Sequence, residues 1–415
     1  MASKSEAKRR KRLRLRRQQE AHLTQLEAER RYRESLQRVL NALEMPDLFR
    51  NLPKKESMAL LMARFHPPRI DPAEGTRVPR RVMEQVRKQF SILLKAFTLP
   101  VMPGYDSVSL EDFSTAGYAL AAHSKLKLPR SSGALLSMLE QLRPFSQYMD
   151  SSNDECMRWL KLAATAACMS INRVNQTMYL PTPRFDSHRL GLALQCRVSM
   201  RICPVKPESR VVSMDGKPRP ACRIGLAVAG AGIRWAATTP AELGSTSDFA
   251  DLPMQACIQS HALSRLRERL DTCNLGTIHS ELFFAFEKKQ FAPLANNRAL
   301  AAFEVFGEKV GYLLVEIVDG AAVVRTFLFI TNSGTPEGTR LDHELRVGKM
   351  EKEYLQIDRL SAFVKTDLPQ DQRVRNVFER VGLGHLCRLD PKLFGSREPN
   401  ATGYAKDFVK YMGLG

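Results

Sequence analysis

The chain has 415 residues, with 63 Lys and Arg against 44 Asp and Glu for a net charge of +19; its length calls for two or three packed units and its charge favours polyanionic partners. No run of 18 apolar residues occurs and no apolar segment follows the charged start, which argues against membrane insertion and Sec export. The eight cysteines form no C-x-x-C pair in a chain too long to depend on disulfides, so a reducing, cytoplasmic setting is expected.

Residues 1–17 carry Lys4, Lys8, Arg9, Arg10, Lys11, Arg12, Arg14, Arg16 and Arg17 against Glu6 alone, an arm suited to nucleic-acid phosphates. From Gln18 to Met45, Leu23, Leu26, Tyr32, Leu36, Val39, Leu40 and Leu43 recur at helical spacing. Glu27 with Arg31, Glu29 with Arg33 and Glu34 with Arg38 stand four apart and support the same long amphipathic helix. Residues 1–65 are therefore read as a basic arm and helix. The helix docks on the body in one reading and folds on nucleic acid in the other, and the two are compatible. Four prolines and Gly75 predict a linker over 66–81.

Residues 82–190 are read as a helical region, with helices over Val82–Phe97, Ala134–Leu142 and Cys156–Asn175. Over 191–256 the runs Gln195–Cys203, Arg210–Met214, Cys222–Val228 and Arg234–Thr238 are strand-like. Asp215-Gly216 and Gly230-Ala231-Gly232 separate them, predicting an antiparallel β-meander of about four strands.

The segment 257–346 holds the most chemistry. A short helix places His261, Arg265 and Glu268 on one stripe and Leu263, Leu266 and Leu270 on the other, so one face is core and one is available. A second helix follows, then the apolar runs Leu300–Phe306, Val310–Val318 and Ala322–Ile330, joined by Phe306-Gly307-Glu308-Lys309 and Asp319-Gly320. These predict three antiparallel strands, the last covered on both faces. Arg325 lies in that strand and must either meet a carboxylate such as Glu304 or Glu316 or open into an anion site. The loop Thr331-Asn332-Ser333-Gly334-Thr335-Pro336-Glu337-Gly338 follows; Thr331 and Thr335 are phosphate-loop candidates, although a strand-ending turn that caps the next helix also explains them.

Residues 347–415 are read as a helical tail, with Leu355, Leu360 and Phe363 in the core, Pro369 opening a helix to Val381 and Gly382 beyond its end. The fold class is thus α+β. Several other signatures are rejected. Cys257, His261, Cys273 and His279 do not have zinc spacing, Gly230-Ala231-Gly232 runs on into a strand, and no G-x-S-x-G elbow occurs. Neither a metal nor a cofactor is called for by any motif.

The run Ser260-His261-Ala262-Leu263-Ser264-Arg265-Leu266-Arg267-Glu268-Arg269, followed by a helix and three strands, resembles the His-Ala-x-x-Arg-x-x-x-Arg start of small RelE-like toxin-type domains in the barnase/colicin/RelE ribonuclease superfamily. The resemblance covers residues 257–332. It implies His261 and Arg265 as a functional pair, with Arg269 as a further nucleic-acid contact. Chemically, such a site makes the RNA 2′-hydroxyl the nucleophile, His261 or Glu268 the general base or acid, and Arg265 with Arg325 the stabilisers of the charged phosphorane, without a metal. The expectation is a protein that interacts with nucleic acid, RNA rather than DNA, through a toxin-like endoribonuclease domain. The alternative is a non-catalytic nucleic-acid-binding or assembly protein using its N-terminal arm, or a protein-interaction module; no protein partner or inhibitor is identifiable.

Overall fold

The computed structural model describes residues 26–62, 65–127, 133–190, 193–246, 250–395 and 402–414. The chain is α+β and divides into two compact units, Met1–Ala167 with Pro181–Cys203, and Cys168–Leu180 with Pro204–Gly415. No helix among the described residues is long and apolar enough to cross a membrane. Cys156, Cys168, Cys222, Cys257, Cys273 and Cys387 are free thiols.

The first unit is mostly helical, with long helices over residues 26–42, Arg80–Ala96 and Asn153–Met169. The first of these buries Tyr32, Leu36, Val39 and Leu40, whereas Leu26 is half exposed and Leu23 lies outside the described residues. Glu27–Arg31 and Glu29–Arg33 pair as the spacing predicts. Arg38 does not join Glu34: both its Nε and Nη2 donate at 2.8 Å to the buried Asp112, a bidentate bond stronger than an exposed helical pair. Within 66–81, read as linker, Arg69–Pro72 forms a strand parallel to residues Ser199–Ile202. Within the region read as helical, Met178–Leu190 forms a strand at the edge of the same three-stranded sheet. Pro181 and Pro183 in it lack ladder donors, which an edge strand tolerates.

The second unit is built on an eight-stranded mixed sheet. Its strands include β1 (Ser209–Met214), β2 (Lys217–Arg223), β3 (Met254–Gln259), β4 (Phe291–Leu294), β5 (Arg298–Val305), β6 (Glu308–Val318) and β7 (Ala321–Phe329), in the order β4-β5-β6-β7-β3-β2-β1. Asp215-Gly216, Phe306-Gly307 and Asp319-Gly320 all take positive φ, as tight turns matched to strand twist require. The three strands expected near the centre therefore form, but not as a separate sheet. β3 pairs parallel with β7 and antiparallel with β2, which joins β1 and β2, expected as part of an independent meander, to the same sheet.

The reason lies in β7. Ala322, Val324, Phe327 and Phe329 belong to the main core, while Ala321 and Val323 pack with Val212, Met214, Ala221 and Cys257 in a smaller core. A strand apolar on both sides needs neighbours on both edges and cover on both faces. The main core is completed by α1 (Ser260–Arg269), through Leu263 and Leu266, and α2 (Leu275–Glu287), through Leu282, Phe283 and Phe286. The side chain of Asn274 caps α2 by accepting the Gly276 N–H at 2.7 Å.

The segment expected as one helix over 345–364 is divided. α3 (Pro336–Leu345) is followed by α4 (Lys349–Tyr354) and a turn of helix at Ser361–Val364, with positive φ at Arg346 and Gln356 breaking the path. Leu355, Leu360 and Phe363 are buried as expected. Pro369 lies in a short 3-10 turn, and the helix proper, Gln372–Arg380, starts where Asp371 accepts the N–H groups of Arg373 and Val374.

Candidate functional site

β3 is shorter than both of its neighbours. It ends at Gln259, opposite Ala221 of β2, while β2 extends past it towards Lys217 and β7 continues from Val324 to Phe329. The chain leaves the sheet there and turns directly into α1, so a crevice opens beyond the end of β3 between two overhanging strands. Crevices beyond the C-terminal ends of strands are where ligands are commonly held. This one encloses about 730 Å³ and is lined by Arg219, Gln259, His261, Arg265, Arg269, Arg298, Arg325, Asn332, Ser333, Lys349 and Lys352 among others. Seven Lys and Arg side chains line it against Asp215, Glu353 and Asp358. The cleft is strongly cationic.

Three of the residues on α1 face it. His261, Arg265 and Arg269 stand at i, i+4 and i+8, one stripe of the helix. Glu268 does not line the cleft; its carboxylate accepts from Arg265 Nη1 at 2.7 Å on the exposed side. The stripe expected from the sequence thus keeps His261 and Arg265 and exchanges Glu268 for Arg269. Arg325 also lines the cleft. It is the extra residue of a bulge, since Leu314 pairs with Thr326 and Val315 with Val324. Its guanidinium donates at 2.6 Å to Glu316 and at 2.6 Å to Asp215 in the β1–β2 turn. Of the two alternatives, the carboxylate pair forms, with Glu316 as expected and Asp215 added, while Arg325 also lines the cleft.

The floor is of a different character. Arg269 is 4% exposed and is held by Asp358 and, at 3.3 Å, by Glu353; burial lowers its pKa against the pull of Glu268 and Glu353. Its carbonyl also accepts the Leu360 N–H at 2.8 Å. Lys352, equally buried, donates to the carbonyls of Thr331 at 2.5 Å and Gly338 at 3.0 Å and pairs with Asp342. Burial lowers its pKa while Asp342 opposes the shift. Lys352 ties the loop after β7 to α4, and Arg269 ties the chain after α4 to α1.

Thr331 and Thr335 are part of that fastening. The Thr331 hydroxyl donates to the Ile357 carbonyl at 2.7 Å; that of Thr335 donates to Ile330 O at 2.7 Å and accepts the Gly338 N–H at 2.9 Å, capping α3. Both threonines are buried, so neither hydroxyl meets a ligand, and the loop presents Asn332 and Ser333 to the cleft instead. Gly338 is required here, because a Cβ would stand 2.0 Å from the carbonyl oxygen of Asn332.

Sequence reasoning missed the rim. Arg219, Arg298 and Lys349 line the cleft and, among the described residues, form no ion pair with a carboxylate; Arg298 donates only to the Ala295 carbonyl, at 3.3 Å. They come from β2, β5 and α4, which are far apart in sequence and meet at the cleft only in the folded chain. Lys8, Arg9, Arg10, Lys11, Arg12, Arg14, Arg16 and Arg17 lie outside the described residues. His279 is far from solvent: its Nδ1 accepts the Val174 N–H at 2.8 Å, and burial, with Arg173 nearby, pulls its pKa down to about 4.

No protein-family model, curated protein or solved structure matches this chain.

Proposed function

We propose that the cleft binds RNA and cleaves it by transphosphorylation, without a metal, as a RelE-like, toxin-type endoribonuclease domain would in the cytoplasm. The observation that carries this reading is the meeting of His261, Arg265 and Arg325 in one crevice whose rim adds three cations without carboxylate partners among the described residues. A phosphodiester is the ligand that suits such a set. It is anionic along its length and can accept from several guanidinium groups at once.

In the proposed reaction the 2′-oxygen bonds to the adjacent phosphorus, the bond from phosphorus to the 5′-oxygen breaks, and a 2′,3′-cyclic phosphate remains. His261 takes the 2′-hydroxyl proton, histidine being the side chain suited to proton exchange near neutral pH. The proton then passes to the departing 5′-oxygen. Arg265 and Arg325 donate to the non-bridging oxygens as negative charge grows, using N–H groups beyond those given to Glu268, Glu316 and Asp215. Glu268, bound to Arg265, orients that guanidinium rather than moving a proton. The requirement for a 2′-hydroxyl makes RNA the substrate and DNA a competitor.

Incubating the full chain with RNA in EDTA, beside His261→Ala, tests this. The wild-type protein is expected to leave cyclic phosphate ends and the variant to lose most of the rate; equal rates, or inertness of both, contradict cleavage. The second reading is binding by the arm alone, favoured by nine basic residues against Glu6 in residues 1–17. Under it, a chain lacking those residues no longer binds RNA in a salt-sensitive manner.

A further inference from the structure

Beside the cleft lies an exposed aromatic pair that the chemistry above does not use. Tyr354, at the end of α4, is 74% exposed and Tyr411 is 52% exposed, yet their rings lie 5.6 Å apart at 39° to one another. Met350, one turn before Tyr354, is 73% exposed and extends the same apolar strip. The elements beneath are anchored. α4 is pinned by Lys352, and the helix Tyr404–Tyr411 buries Phe408 and Val409 in the main core.

The position of this strip matters more than its exposure. Lys349, Lys352 and Glu353 of α4 line the cleft, and Met350 with Tyr354 lies roughly a third of a turn further round the same helix. Lys349 and Tyr354 stand at the two ends of that short helix, about 7.5 Å apart along its axis, so a strand held at Lys349 can continue over the same helix to the rings. Cations that hold a phosphate next to aromatic faces that stack a base are the two components of single-strand recognition. A duplex cannot use the rings, because its bases are already stacked on one another.

We propose that the nucleic acid taken by this cleft is single-stranded, with Tyr354 and Tyr411 forming a platform that stacks one base beside the bound phosphate. This rests on the cleft reading above and narrows it from nucleic acid in general to unpaired strands. The platform supplies affinity without reading sequence, since every base offers a π-face.

The test is binding of 2′-O-methyl oligoribonucleotides, which lack the attacking hydroxyl and so report on binding whether or not the protein cuts. Three probes of equal length are compared: a single strand, the same strand in a blunt duplex, and an abasic single strand. Wild-type protein is expected to prefer the base-bearing single strand to both others. Tyr354→Ala should weaken that probe about tenfold, the loss of one stacked base, and leave the abasic probe unchanged, while Tyr354→Phe keeps the wild-type affinity. Unfolding midpoints of the variants should match wild type, because the ring is largely in solvent. Equal binding of base-bearing and abasic strands, or a duplex bound as well as the single strand, overturns the platform and leaves the cationic cleft standing. Failure of all three probes to bind overturns both.

Discussion

The floor and the rim of the cleft are made from the same kinds of residue put to opposite uses. On the floor, Arg269 and Lys352 are buried and meet Asp358, Glu353, Asp342 and main-chain carbonyls. On the rim, Arg219, Arg298 and Lys349 line the same space and meet no carboxylate among the described residues. The two sets contribute to different free energies: removing a partner on the floor strands a buried charge, whereas removing a rim cation costs the fold little and a bound polyanion more. A guanidinium's function is thus read from its partners rather than from its presence in a basic cleft.

The largest expected effect lies on the floor. Asp358→Ala leaves Arg269 with Glu353 and the more distant Glu268 and should destabilise the protein by about 3–5 kcal/mol, read as a lower urea midpoint. Replacing both members, Arg269→Met with Asp358→Leu, should recover most of the loss. A midpoint unmoved by Asp358→Ala would remove the distinction between floor and rim.

A buried base elsewhere in the unit shows the same logic through pH. His279 has a folded pKa near 4, below the ordinary histidine value of about 6.5, so the unfolded chain binds the proton more readily. Its contribution to stability is present above pH 6.5 and is lost as pH falls towards 4, by up to about 3 kcal/mol. His279→Gln should flatten that limb of the stability profile; an unchanged profile would show that the imidazole is not held neutral.

Smaller again is Thr335→Ala. Loss of the α3 cap should cost about 1–2 kcal/mol and leave RNA affinity as it was. Weakened binding at unchanged stability would return the hydroxyl to the phosphate loop. At the rim, alanine at Arg219, Arg298 and Lys349 together should move the unfolding midpoint least of all. The slope of log affinity against log salt should nevertheless fall by about 2, three phosphate contacts at roughly 0.7 each on a single strand. An unaltered slope would place binding elsewhere.

What the sequence made legible was local. The β5–β7 strands follow from apolar runs and Asp-Gly or Phe-Gly turns, and α1 from its leucine spacing. β3 escaped notice because Met254–Gln259 is a six-residue strand with glutamine near each end and only Ala256, Cys257 and Ile258 apolar between them. Met178–Leu190 fell inside the region read as helical, and Pro181 and Pro183 hide its strand character, since their tolerance depends on an edge position no local pattern reveals. For the site, helical spacing placed His261 and Arg265 together. It did not distinguish Glu268 at i+7 from Arg269 at i+8, which depends on how α1 is rolled against β7. Arg219, Arg298 and Lys349 were illegible because two distant strands and a later helix bring them together only in the folded chain, and the commitments of Thr331 and Thr335 depend on carbonyls folded back over them.

Photo-crosslinking tests the central claim most directly. RNA substituted with 4-thiouridine, crosslinked to the full chain and mapped by peptide mass spectrometry, should mark residues lining the cleft, around 214–219, 259–265 and 349–354, with the marks lost at high salt. Crosslinks confined to residues 1–17, with none in those three segments, would contradict the account and assign RNA binding to the arm.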